Sequence, residues 1–367
     1  MGDARRFLTI DGEFQMIHGR LTQATIAYET LGELNEAKDN AVLILTGLSA
    51  SAHVASNEED RTAGWWEDVV GPGKPIDTHR YFVICICSLG SFFGSTCPAS
   101  TDPNTGDSYR LSFPVLTLED VAHGAKCVVD YLEISRLHSV VGASMGGMST
   151  LAFALMYPSA AHSMLNISAG ANSQPFGIAL RSLQRELVCN DPKWLNGEYP
   201  FDEQPQEGMR LARKLGMISY RSAQEWRDRF GRERVTDDDA LGHSNPFGMH
   251  FEIESYLSSR ARSFMDAFDA NCYLYLSRAI DLFDAADHGG SLQLAINKLG
   301  IERATVLGVQ SDFLFLPDQQ RELKNAMSSA DIEVDFEILD SIQGHDSFLV
   351  DMNRFRPAIS RHFNYES

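Results

Sequence analysis

The stretch VVGASMGGMST, Val140 to Thr150, decides how this chain folds. A β-branched run enters Gly142-Ala143-Ser144-Met145-Gly146, and small residues then lead into a helical pattern. A strand that turns sharply into a helix over Gly-x-Ser-x-Gly lifts a serine Oγ to the top of a sheet. Glycine at 142 and 146 removes side chains where such a turn crowds its neighbours. The following helix aims its first N–H groups at the serine, which favours developing negative charge there. The bland alternative is a small-residue turn without chemistry, so the surrounding sequence has to arbitrate.

Outward from this turn, strand and helix patterns alternate. AVLILTGLS (41–49) and YFVICICSLG (81–90) are short, almost unbroken apolar runs, as expected of strands buried on both faces of a parallel sheet. TLEDVAHGAKCVVDYLEI (117–134) predicts a helix, with Thr117 as N-cap, acids in the first turn and apolar residues three and four apart. LHSVVG (137–142) predicts a strand, GMSTLAFALMYP (147–158) a helix stopped by Pro158, and SMLNISAGA (163–171) another strand. The alternation specifies an α/β fold with helices on the faces of a mostly parallel sheet.

The pattern changes near residue 172. From QPFGIALRSLQREL to NCYLYLSRAIDLFDAADHG (174–289) the periodicity is helical, broken by the acidic loop VTDDDALGHSNP (235–246). Strands return with ERATVLGVQSDFLF (302–315), followed by a helix DQQRELKNAMSSA (318–330) and a strand IEVDFEIL (332–339). The organisation expected is a core from 1–171 and 296–367, interrupted by a helical insertion at 172–295 over the carboxyl ends of the strands.

The bulk numbers exclude some function classes. The 367 residues carry a formal charge of −19, which disfavours nucleic-acid backbones and anionic membranes as partners. An anionic substrate would need a local cationic pocket. The six cysteines, Cys85, Cys87, Cys97, Cys127, Cys189 and Cys272, form no CxxC pair and read as core thiols of a reducing compartment. No signal peptide is read at the N-terminus, and no apolar run reaches the roughly 18 residues of a membrane span, so a cytoplasmic protein is expected. No HExxH or Cys/His cluster suggests a metal. GPGKP (71–75) lacks the spacer and Lys-Ser/Thr ending of a phosphate-binding loop.

A serine nucleophile needs a base, and the base needs an orienting acid. On this architecture they follow in the order Ser, acid, His. Asp312 closes the strand after the insertion, and His345 lies in the loop after the last strand, beside Gly344. His53, in the GLSASAH loop, is the competing histidine, and Asp346 the competing acid, awkwardly adjacent to His345. The oxyanion donors expected are the N–H groups of Met145 and of Leu48, in the loop after an early strand.

The chain resembles the homoserine O-acetyltransferase family of the α/β-hydrolase superfamily, which includes serine O-acetyltransferases and homoserine and serine O-succinyltransferases. The resemblance runs from about residue 10 to the C-terminus. It rests, in order, on IAYETLGELN, GWWEDVVGPGKPIDT, GSTCPAS, FPVLTLED, GASMGGM, RSLQRE, ARKLGMISYRS, DANCYLYL, SDFLFLPDQQ and GHDSFLVD. It implies an α/β-hydrolase fold with an inserted helical lid, and ping-pong transfer from acetyl-CoA or succinyl-CoA, through acyl-Ser144, to the hydroxyl of L-homoserine or L-serine. That places the activity in methionine or cysteine biosynthesis. No permanently bound cofactor and a homodimer are implied. Arg185 matches the arginine that holds the amino-acid carboxylate, Asp346 the carboxylate that meets its amine, and Tyr220 a lining residue.

Two positions depart from the family pattern. Cys97 stands where glycine is usual, and would strain a left-handed turn. Phe93 stands where some relatives associated with succinyl transfer carry a basic residue, which leans the reading toward acetyl. RSLQRE and NCYLYLSR resemble the succinyltransferase branch instead. Acetyl transfer to homoserine is marginally favoured. Succinyl transfer to serine or homoserine stays open, as do ester or thioester hydrolysis and a non-catalytic binding role.

Overall fold

The turn at Ser144 sits in the middle of an eight-stranded sheet. The computed structural model describes residues 3–235, 247–265 and 267–364, without the side chains of 263–265. Its sheet contains β1 (Arg6–Thr9), β2 (Thr25–Leu31), β3 (Ala41–Leu45), β4 (Phe82–Ile86), β5 (Leu137–Ala143), β6 (Ala161–Ile167), β7 (Arg303–Val309) and β8 (Glu333–Leu339). Their spatial order is β1-β2-β4-β3-β5-β6-β7-β8. β2 runs antiparallel to β1 and β4, and every other pairing is parallel.

Burial on both faces explains the unbroken apolar runs. Leu43 and Leu45 of β3, Ile84 and Ile86 of β4 and Val140 of β5 enter one core. Val42 and Ile44, Val83 and Cys85, and Val141 enter the other. The side-chain period of two is present in the structure but invisible as polarity, because both sides are covered.

The helices follow in chain order. α1 (Leu118–Tyr131) begins at Thr117, whose hydroxyl accepts from the Asp120 N–H while the Asp120 carboxylate accepts from the Thr117 N–H. α2 (Met145–Met156) is buried along almost its whole circumference, so no amphipathic stripe marks it. Between β6 and β7 come α3 (Pro175–Cys189), α4 (Gln206–Tyr220), α5 (Ala223–Phe230), α6 (Glu252–Met265), α7 (Ala270–Leu282) and α8 (Leu292–Ile296). α3 packs on α4 and α7, and α4 on α6. The acidic loop expected at 235–246 lies, apart from Val235, outside the described residues. α9 (Pro317–Ser328), α10 (Ser347–Val350) and α11 (Met352–Phe363) complete the chain. No helix among the described residues is long and apolar enough to cross a membrane.

Two strand expectations run too far. β6 stops at Ile167, where Ser168 turns to φ 46°. β7 stops at Val309, because the Asp312 carboxylate accepts from the Leu314 and Phe315 N–H groups and bends the chain. α11 carries no sequence expectation. It covers the second sheet face with Phe355, Ala358, Ile359 and Phe363.

His362 of α11 is pinned inside this layer. Its ring nitrogens lie 2.6 Å from Ser139 Oγ on β5 and 2.8 Å from Thr305 Oγ1 on β7. Burial pushes its pKa from 6.5 down to about 3, with the nearby Arg303 adding to the effect. The unfolded chain therefore binds a proton that the folded chain refuses, and the stabilisation present above pH 6.5 declines as pH falls toward 3. In thermal unfolding, His362→Gln is expected to flatten the loss of Tm between pH 6.5 and 4. Equal slopes in both proteins would refute the assignment.

Candidate active site

Ser144 occupies φ 57° and ψ −125°, between the last residue of β5 and the first of α2. Such backbone costs a non-glycine residue on the order of 1–3 kcal/mol and survives only where its surroundings enforce it. Here they do. The Ser144 N–H donates to Ile167 O at 2.9 Å. A Cβ on Gly142 would fall 2.2 Å from Gly146 O, and one on Gly146 would fall 2.1 Å from Leu45 O on β3. Both motif glycines are thus required by contact distance.

The turn presents Ser144 Oγ to His345. The hydroxyl donates to His345 Nε2 at 2.7 Å, and Nδ1–H donates to Asp312 Oδ2 at 2.7 Å. The Asp312 bend that ended β7 also fixes this carboxylate, leaving Oδ2 for the imidazole. Both His345 and Asp312 are buried. Burial alone would lower the pKa of His345, but the charge and hydrogen bond of Asp312, helped by Asp346, leave it above the ordinary histidine value. Phe315 stacks on the ring at 5.3 Å. Gly344 supplies the sharp turn at φ 72°, with no room for a Cβ against Tyr220 O and Ser222 N.

The competing residues are engaged elsewhere. His53 Nδ1 pairs with buried Glu29 at 2.9 Å and Nε2 lies 2.8 Å from Thr62 O, so this ring does not serve Ser144. The Asp346 carboxylate accepts from Arg221 Nε at 3.2 Å instead of orienting His345.

Ser144, His345 and Asp346 line a cavity of about 270 Å³. Gly47 and Leu48, just beyond β3, form part of its wall beside Ser144. Met145 opens α2. The two N–H groups expected to hold an oxyanion thus belong to the loop and helix that flank the nucleophile. Leu180, Met217, Ile280, Leu314 and Leu349 give the remaining wall an apolar character, and Tyr220 lines it as expected.

Arg185 requires correction. It does not line this cavity. Its guanidinium is buried between α3 and α7, donating to Ser277 Oγ at 2.9 Å and Asp281 Oδ2 at 2.6 Å. The cavity arginines are Arg181 and Arg213. Arg181 lies one turn before Arg185 and shares Asp281 with it through a 2.5 Å bond from Nε. Arg213 was legible in retrospect: Arg213, Met217 and Tyr220 follow i, i+4, i+7 spacing on α4, and all three line the cavity.

Both family departures also resolve. Cys97 is buried and does not adopt a left-handed backbone, so its side chain introduces no strain there. Phe93 packs on Phe268 at 5.4 Å and is not among the residues that line the cavity. All six cysteines are free thiols.

The alpha/beta hydrolase fold family matches residues 40–351. The chain is 52% identical over 369 aligned positions to serine O-succinyltransferase from Litchfieldella anticariensis, covering all of both chains. It is 51% identical to L-serine/homoserine O-acetyltransferase from Streptomyces lavendulae, over 98% of this chain and 96% of that one. In structure it resembles homoserine O-acetyltransferase from Bacillus anthracis, with a TM-score of 0.90, 26% identity and coverage of 99% and 98%.

Two outcomes test the site. Ser144→Ala should lower turnover by about a thousandfold or more while leaving the unfolding temperature near that of the wild type. Because His345 must be neutral to accept the Ser144 proton, activity should fall as pH drops through its raised pKa. The acidic limb of kcat/KM should therefore have its midpoint above 6.5, and a midpoint below that value would contradict the Asp312 pairing.

Proposed function

The chain belongs to the alpha/beta hydrolase fold family and, within it, to the serine and homoserine O-acyltransferases, and on that premise we propose that it transfers a succinyl group from succinyl-CoA to the hydroxyl of L-serine. The observation that carries the donor choice is the pair of guanidiniums, Arg181 and Arg213, on the cavity that holds Ser144. An amino acid brings one carboxylate and one ammonium. A succinyl group brings a second carboxylate, whereas an acetyl group brings none. Arg213, on the same wall as Tyr220, suits the amino-acid carboxylate. Asp346 suits its ammonium, and Arg181 suits the free end of the succinyl group. The name of the relative at 52% identity agrees with this choice.

The reaction follows a ping-pong course. His345 Nε2 takes the Ser144 proton as Oγ attacks the thioester carbon. The N–H groups of Leu48 and Met145 hold the oxyanion. The C–S bond breaks, and His345 returns the proton to the departing CoA thiolate. The serine hydroxyl then enters, gives its proton to His345 and attacks the ester carbon. The bond to Ser144 Oγ breaks and Oγ regains the proton. Leu180, Met217 and Ile280 give the cavity apolar walls, which offer a hydrolytic water no hydrogen-bond partner and so favour transfer over hydrolysis.

Initial rates with acetyl-CoA or succinyl-CoA, each against serine or homoserine, test the reading. Succinyl-CoA with serine is expected to give the highest kcat/KM. Arg181→Met should lower kcat/KM for succinyl-CoA by about tenfold to a hundredfold, the size of a charge-assisted hydrogen bond, and that for acetyl-CoA far less. Equal losses with both donors would remove Arg181 from donor recognition.

A further inference from the structure

The tandem tryptophans of GWWEDVV take no part in the chemistry above, yet each reaches a different catalytic loop. Trp65 Nε1–H donates to Ser51 O at 3.0 Å, in the loop that carries Leu48. Trp66 Nε1–H donates to Phe348 O at 2.9 Å, in α10, three residues after His345. The rings lie 5.2 Å apart at 13°. Their backbone is fixed as well: the Trp65 N–H donates to His53 O and the Trp66 N–H to Val54 O. A Cβ on the preceding Gly64 would fall 2.2 Å from Ala55 N, so this segment lies directly on the 53–55 backbone.

Both contacts act at short range from the reacting groups. Trp65 lines the cavity, and so does Phe348, whose ring meets His345 edge-on at 5.8 Å and 81°. Trp66 is buried to 1% exposure, deep enough that an indole N–H without an acceptor would be costly. We propose that Trp65 and Trp66 are a single positioning brace, two stacked rings with one N–H bond each, that sets the spacing between the oxyanion loop and the His345 loop. The brace aligns the base with Ser144 and the oxyanion donors before substrate arrives, and neither indole touches a transferred proton. This inference rests on the acyl-serine reading of the site.

Phenylalanine keeps the aromatic bulk and removes the N–H, so Trp65→Phe, Trp66→Phe and the double variant test it. The probe is p-nitrophenyl acetate, which reports acylation of Ser144 independently of CoA and amino acid. The brace requires a fall in the acylation rate of about tenfold for Trp66→Phe, at a temperature where the variant is folded by circular dichroism, with KM changed less than twofold. It also requires a displaced acidic limb of the pH profile, and a double variant no slower than about the worse single one. If Trp66→Phe proves unstable, Trp65→Phe, at the less buried member of the pair, carries the same rate and pH readouts. Folded variants with wild-type rates and pH profiles would overturn the brace and leave the reading of the site intact. A wild-type chain that neither p-nitrophenyl acetate nor succinyl-CoA acylates at Ser144 would overturn both.

Discussion

The site depends first on the packing of Gly146 against the Leu45 carbonyl. A Cβ on Gly146 would fall 2.1 Å from that oxygen, well inside contact distance, so only glycine lets the turn after β5 press onto the end of β3. That contact ties three things together. It holds Ser144 in a backbone conformation it would otherwise leave, starts α2 beneath the serine, and brings the Gly47-Leu48 wall beside Oγ. The strain is local, and the parallel pairing of β3 with β5 sustains it along four residues of register.

From that turn the rest of the site is assembled by strand ends. Asp312 follows β7 and His345 follows β8, so the sheet order brings acid and base to the carboxyl edge where β5 delivers the nucleophile. The apolar roof and the arginines come from α3, α4 and α7, an entirely separate stretch of sequence. The reaction centre and the recognition surface thus belong to different parts of the chain. A protein with a formal charge of −19 nevertheless offers two guanidiniums to one small cavity.

This division explains what could be read from sequence. The triad was legible because each member sits just beyond a strand, and buried parallel strands announce themselves as apolar runs. The oxyanion loop was placed by the same logic. Arg185 was misplaced because one turn of helix separates a residue facing the cavity from one facing the neighbouring helix, and the α3 sequence holds both arginines. Both arginines reach Asp281 on α7, and what separates them is Ser277, which binds Arg185 between the helices and leaves Arg181 on the cavity wall. α11 lacks a clear sequence signal for a different reason. Pro357, a helix breaker by composition, lies inside it, and its buried face includes His362, whose polarity hides its membership of the core. The bends after β6 and β7 were lost because side-chain acceptors and a left-handed serine leave no compositional trace.

The junction between α4 and α5 is stitched to the loop that carries the base. Tyr220 and Ser222 crowd Gly344, the Ser222 hydroxyl donates to Ile342 O, and Arg221 donates to both Gln343 and Asp346. The roof at this edge cannot swing away without dragging His345 off Ser144. Admission is therefore a matter of aperture, and this edge is a rigid gauge. An attempt to widen the acyl range has to carve the α3 and α7 walls, because loosening the α4 seam would disarm the enzyme before it admitted a larger guest.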